Sequence, residues 1–99
     1  MSRYTVEYDP RTEPELGRLP LTIRRRIVTQ LEFLRASPYR SHPGVKVKPT
    51  LGAEGVWHFH ASQDVRVYYL TEGSVLWVVM VEQSAGVTRK SVRRVQTRA

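Results

Sequence analysis

The chain has 99 residues, no cysteine, and 16 Lys plus Arg against 9 Asp plus Glu, which gives a formal net charge of +7. This length suits one domain with one modest core. The lack of cysteine excludes a disulfide scaffold and a cysteine zinc site, and it fits a reducing cytoplasm. The longest apolar run, 75–81, is too short to cross a bilayer, so we expect a cytoplasmic protein with no membrane role. The excess of arginine favours a polyanionic partner such as nucleic acid.

The first twenty residues predict a strand and a short helix. Residues 3–8 alternate between two faces, which is typical of a strand. Asp9 and Pro10 end that strand and favour the start of a helix. Thr12 and Glu15 have the spacing of a capping box for the same helix.

A second, longer helix is predicted from Pro20 to about Ala36. Its apolar side chains recur at helical spacing and form one stripe. These residues are Ile23, Ile27, Leu31 and Leu34. The pair Ser37 and Pro38 then ends the helix, because the residue before a proline disfavours helical backbone angles.

Four strands are predicted in the second half of the chain. They cover residues 45–48, 57–61, 65–69 and 75–81, and the last is a continuously apolar strand that we expect to be covered on both faces. The order β-α-α-β-β-β-β indicates a compact α+β fold, with a largely antiparallel sheet packed on a helical hairpin. We expect one domain over 1–99, in which 84–99 form a basic tail or short helix.

The alternation in the predicted strands separates two sets of side chains. One set is apolar and suits packing against the helices. The other set contains no acid and would form a cationic patch with a phenol at its edge, provided that the strands are neighbours. Its members are Lys46, Lys48, His58, His60, Arg66 and Tyr68. Arg89 and Lys90, from the basic C-terminal stretch, are expected to border this patch.

Several short motifs follow one another in a fixed order along the chain. They are the opening strand 4–8, the pair Leu19-Pro20 before the long helix, the pair Leu51-Gly52 before the strand led by Trp57, and Arg66-Val67-Tyr68-Tyr69 before the apolar strand 75–81. Their order and spacing resemble the RelE/ParE toxin superfamily over about residues 3–84.

This resemblance implies a toxin of a type II toxin–antitoxin pair, held by a cognate acidic antitoxin. RelE-like members are ribosome-dependent endoribonucleases that cut mRNA on the ribosome, whereas ParE-like members inhibit DNA gyrase. The resemblance implies contact with DNA only indirectly, through the antitoxin. We expect the RelE-like activity, inhibition of translation by an mRNA interferase.

By position, the RelE-like branch implies that His58, His60 and Arg66 are catalytic. It also implies RNA contacts from the remaining cations and the phenol, namely Lys46, Lys48, Tyr68, Arg89 and Lys90. The chemistry is coherent, since RNA supplies its own 2′-hydroxyl nucleophile and the protein adds an imidazole base or acid and a cation for the phosphate. No metal or other cofactor is required.

The C-terminal stretch departs from the RelE-like pattern. Nucleases of this type often carry a basic or histidine-containing motif after the last strand and a tyrosine near the C-terminus. Here residues 82–86 read EQSAG, and no tyrosine follows Tyr69. A ParE-like gyrase inhibitor therefore remains an alternative, as does a non-catalytic protein that binds RNA or the antitoxin.

Overall fold

A computed structural model of the chain describes residues 3–83. Within them the predicted order of elements is confirmed: β1 Thr5–Tyr8, α1 Thr12–Gly17, α2 Leu21–Leu34, β2 Val47–Pro49, β3 Trp57–Ser62, β4 Val65–Glu72 and β5 Val75–Gln83. The predicted basic tail or helix at 84–99 lies outside the described residues. No helix in the described part of the chain is long and apolar enough to span a membrane.

The strands form one five-stranded sheet in the order β1-β5-β4-β3-β2. The strands β2 to β5 pair antiparallel with their sequence neighbours, and β1 adds to β5 in parallel. The predicted α+β fold with a largely antiparallel sheet is therefore confirmed. The apolar strand β5 lies between β1 and β4 and is covered on both faces, as its sequence predicts.

The main core lies between one face of the sheet and the two helices. The apolar stripe of α2 contributes Ile27, Leu31 and Leu34, which are almost fully buried. They belong to the same cluster as Phe59 and Tyr69 of the sheet. Full burial of one such aliphatic side chain contributes about 1.5–3 kcal/mol, so this stripe fixes which face of the sheet the helix covers.

A smaller cluster covers the opposite face of the sheet. The loop 50–56, which joins β2 to β3, contributes Ala53 and Val56 to it. These side chains pack with Tyr68, Val79 and Met80. This second cluster buries part of the face on which the sequence predicts an open basic patch.

The start of α1 differs from the predicted capping box, because neither predicted side chain caps the helix. The Oγ1 of Thr12 donates to the carbonyl oxygen of Asp9, at 2.7 Å. The carboxylate of Glu15 instead accepts from the backbone N–H of Val81 in β5, at 3.0 Å. That N–H lies beyond the last β1–β5 residue pair, at Val78, so Glu15 satisfies a backbone donor that β1 is too short to reach.

Candidate active site

Two rows of side chains cross the sheet on the face opposite the helices. From β2 to β5 the first row is Lys48, His58, Tyr68 and Met80. From β3 to β5 the second row is His60, Arg66 and Glu82. Directly opposed residues on one face have Cβ atoms about 4.5–5.5 Å apart. The structure therefore brings the predicted histidines, arginine and Lys48 together as cross-strand neighbours.

The sixth predicted patch residue, Lys46, lies one residue before β2 and is exposed. It lines a cleft together with Lys48 and His60. Lys48 also lines a second cleft, which contains His58 and Arg66. All five predicted basic residues in the described part of the patch thus border two adjoining clefts.

Arg66 and His60 are joined directly across the β3–β4 pair. The Nε of Arg66 donates a hydrogen bond to Nε2 of His60, at 3.1 Å. A ring nitrogen that accepts a hydrogen bond carries no proton, so this His60 is neutral with its proton on Nδ1. The contact engages Nε of Arg66, and the guanidinium has further N–H donors on its terminal amino groups.

His58 is held from the β2–β3 loop. The Oγ1 of Thr50 lies 2.9 Å from Nδ1 of His58, and Thr50 is itself buried. The ring of His58 also lies close to two neighbouring rings, with centroids 5.9 Å from His60 and 5.5 Å from Tyr68. Thr50 is a site residue that the sequence reasoning missed, because a lone threonine in a loop carries no signal of contact with a histidine.

Both imidazoles titrate below their ordinary range. Burial, followed by the positive charges of Arg66, His60 and Lys48, lowers the pKa of His58 to about 4. Burial and the same two permanent cations also lower the pKa of His60. A bound anion would offset the repulsion from these cations, so the site is suited to gain protons when phosphate binds.

The observed position of Tyr68 differs from its predicted position at the edge of the patch. It lies in the middle of the first row instead of at an edge, and its side chain is only 1% exposed. Its hydroxyl donates to Oε1 of Glu82 at 3.1 Å, and burial is the main cause that raises its pKa to about 12. Its ring faces protein and is not open to stack on a base, and the predicted contact of Tyr68 with RNA stays a prediction.

Glu82 is an acid on a face that was predicted to hold none. It lies opposite Arg66 because β5 carries one extra residue: Tyr68 pairs with Met80 but Tyr69 pairs with Val78. Such a bulge reverses the side-chain alternation beyond it. Strict alternation through β5 would have turned Glu82 away, and the apolar run before it carries no signal of the bulge.

Two predicted RNA contacts, Arg89 and Lys90, lie outside the described residues. Within residues 3–83, no group of three or more His, Cys, Asp or Glu side chains is arranged to hold a metal ion. The arrangement that is present combines two neutral imidazoles, one guanidinium and two lysines in open clefts. Such a set can bind a phosphodiester and move protons on and off its oxygens.

No family model and no curated protein matches this chain in sequence. Solved structures do match it. Archaeal RelE in its complex with RelB from Pyrococcus horikoshii OT3 has a TM-score of 0.65 and 19% identity, over 82% of this chain and 94% of that chain. A mutant of the Escherichia coli toxin RelE in the free state has a TM-score of 0.67 and 20% identity, over 84% of each chain.

A YoeB/ParE toxin from Agrobacterium tumefaciens matches with a TM-score of 0.68 and 15% identity, over 82% of this chain and 99% of that chain. The chain has the RelE-like toxin fold. At these low identities the shared property is the fold itself. The chemistry of this domain therefore depends on its own side chains.

Proposed function

We propose that the chain is the toxin of a type II toxin–antitoxin pair and acts as a metal-independent, ribosome-dependent mRNA endoribonuclease. The observation that carries the proposal is the joining of His58, His60 and Arg66 on one sheet face, beside clefts lined by Lys46 and Lys48. A cationic cleft with titratable imidazoles is what cleavage of a phosphodiester through its own 2′-hydroxyl needs.

RNA binding is the first step of the proposed mechanism. The terminal amino groups of Arg66 bind the scissile phosphate, and Lys46 and Lys48 bind flanking phosphates. Burial and nearby cations both lower the pKa of His58 and of His60. The negative charge of the phosphate opposes the second of these causes and so raises both values.

Proton transfer follows. His58 accepts the proton of the 2′-hydroxyl through Nε2, while Thr50 holds Nδ1. The 2′-oxygen bonds to phosphorus and the bond from phosphorus to the 5′-oxygen breaks. When Arg66 moves to the phosphate, Nε2 of His60 becomes free to take a proton from solvent, and His60 then gives this proton to the leaving 5′-oxygen. The products are a 2′,3′-cyclic phosphate and a 5′-hydroxyl end.

An acidic antitoxin fits this account as the natural inhibitor. Three of the similar solved structures are toxin–antitoxin complexes, two of RelE with RelB and one of YafQ with DinJ. This chain carries a net charge of +7 and exposes lysines beside its clefts. An acidic segment that covers Lys46, Lys48 and Arg66 would block RNA and neutralise the charge in one contact.

The proposal is tested by inducible expression followed by mapping of mRNA 5′ ends. We expect rapid arrest of translation, with new 5′ ends in ribosome-bound mRNA that carry a hydroxyl, as attack by the 2′-hydroxyl requires. DNA damage with intact mRNA would instead indicate a ParE-like gyrase inhibitor. No effect on growth would reject both toxin activities.

A further inference from the structure

Leu51 is the most exposed large apolar side chain of the described residues, with 91% of its surface open to solvent. Scattered exposed leucines are ordinary on protein surfaces and need no explanation by themselves. Leu51 differs because it lies directly after Thr50, whose hydroxyl contacts His58. Its position is thus tied to a residue of the proposed active site.

The loop that carries Leu51 is held rigidly. Thr50 donates its backbone N–H to the carbonyl of Val56 at 2.9 Å, and Ala53 and Val56 make further backbone hydrogen bonds within the loop. The side chains of Ala53 and Val56 are buried in the smaller cluster. Gly52, with φ of +81°, provides the left-handed turn that follows Leu51. The hydrogen bonds and buried side chains of this loop therefore hold Leu51 in a defined position, where it is exposed to solvent.

The cleft beside Leu51 has two kinds of wall. Its volume is about 490 Å³. Lys48, His58 and Arg66 form a cationic part, and Pro49 and Leu51 form an apolar part. A phosphate fits the first part and a flat apolar group fits the second. A nucleotide carries both groups a short distance apart.

We propose that Pro49 and Leu51 form a seat for one unpaired nucleobase, next to the phosphate held by Arg66. This inference rests on the proposed function and narrows its substrate to single-stranded RNA, because the face of a paired base is covered by its stacked neighbours. Neither side chain can hydrogen-bond to a base edge. The seat therefore discriminates only by contact area, which is larger for a purine than for a pyrimidine. It makes no hydrogen bond that could identify a particular base.

Binding of short single-stranded RNA tests the seat. The probe is an oligonucleotide with 2′-O-methyl groups throughout, which removes the nucleophile and prevents cleavage. A second series carries one abasic residue at each position in turn. We expect Leu51→Ala to weaken binding of the intact oligonucleotide about fivefold, and to have less than a twofold effect when the base that occupies the seat is missing.

Two further variants distinguish failure of the nucleobase seat from failure of the proposed function. Leu21→Ala removes another exposed leucine, from α2, and should leave binding unchanged. Arg66→Ala should weaken binding of every oligonucleotide, with or without the base. If Arg66→Ala weakens binding and Leu51→Ala does not, the nucleobase seat is rejected and the proposed function stands. If the wild-type protein binds no single-stranded RNA, or binds duplex RNA equally well, the seat is rejected. The proposed function is decided separately, by the mapping of 5′ ends in ribosome-bound mRNA.

Discussion

Arg66 donates its Nε–H to Nε2 of His60 across the β3–β4 pair, at 3.1 Å. The same guanidinium is among the causes that lower the pKa of both His60 and His58. One side chain therefore positions one imidazole and, after burial, adds to the causes that lower the pKa of two. Any change at Arg66 should therefore alter RNA binding and the protonation of both histidines together.

Replacement of Arg66 by alanine should abolish toxicity while leaving the fold intact. The side chain is only half-buried and lies outside both hydrophobic clusters, so the midpoint of thermal unfolding should stay close to that of the wild type. Loss of a group that stabilises charge on the phosphorane should reduce cleavage by about 100-fold or more. Growth after induction and mapping of mRNA 5′ ends measure the effect.

Two matched variants sharpen this experiment. Arg66→Lys keeps the charge but loses the planar fork of donors, so it should restore only a small part of the activity. Arg25→Ala removes an equal charge from an exposed position of α2 and should remain fully toxic. Full toxicity of Arg66→Ala would remove this residue from the site.

The depressed pKa of His58 predicts a specific dependence of stability on pH. Its pKa is about 4 in the folded protein, against about 6.5 for an unperturbed histidine. Between these values the unfolded chain binds more protons at this position than the folded protein does. The contribution of His58 to the free energy of unfolding should therefore be fully present above pH 6.5. The free energy of unfolding should decrease as the pH falls from 6.5 towards 4.

His58→Gln removes this titration and keeps a side chain that can contact Thr50. Urea unfolding of both proteins between pH 4 and pH 7 should show a shallower pH dependence for the variant. Some dependence should remain, because the pKa of His60 is lowered as well. Equal slopes for the two proteins would show that burial of His58 does not affect its protonation.

Glu82 is expected to oppose anion binding. It faces Arg66 across β4 and β5, and its charge raises the pKa of His58. Glu82→Gln should therefore lower the pKa of His58 further and tighten binding of a phosphate-containing ligand by roughly fivefold. Ring-proton chemical shifts against pH, together with titration of a short RNA, provide the two measurements.

The control for this change is Glu7→Gln, which removes the same charge from an exposed position in β1, at the far edge of the sheet. It should leave the pKa of His58 and the affinity for RNA unchanged. If Glu82→Gln weakens RNA binding instead, the carboxylate assists the site, for example by holding Tyr68 in place.

Most of the fold could be predicted from the sequence because its signals are local. The helical spacing of Ile27, Leu31 and Leu34 determines the buried face of α2, and strict alternation in β3 determines which side of that strand meets the core. Alternation also predicted the shared face of His58, His60 and Arg66, since all three lie in regularly paired parts of β3 and β4.

The rest of the site depends on contacts between distant segments. The bulge that directs Glu82 towards Arg66 is a property of the β4–β5 register. The residue types at Val78 and Val79 do not predict it. The burial of Tyr68 depends on Ala53 and Val56, which a loop brings over the sheet from about fifteen residues earlier. Local patterns carry no information on either contact. The predicted patch therefore lacked the acidic Glu82 and had an exposed Tyr68.

The burial of Tyr68 gives a final prediction, which separates a structural role from an RNA contact. Tyr68→Phe keeps the buried ring and removes the hydroxyl that donates to Glu82. The free energy of unfolding should fall by about 1 kcal/mol, the usual contribution of one such hydrogen bond, and the affinity for RNA should not fall. Urea unfolding and RNA titration on the same samples measure both quantities.

Tyr69→Phe is the matched variant on the opposite face of the sheet, where the hydroxyl donates to the carbonyl oxygen of Pro38. It should destabilise the protein to a similar degree, also without loss of RNA binding. Because Tyr68 is covered by the smaller cluster, the two neighbours should behave alike. A selective loss of RNA affinity in Tyr68→Phe would mean that the loop 50–56 opens to expose the phenol when RNA binds.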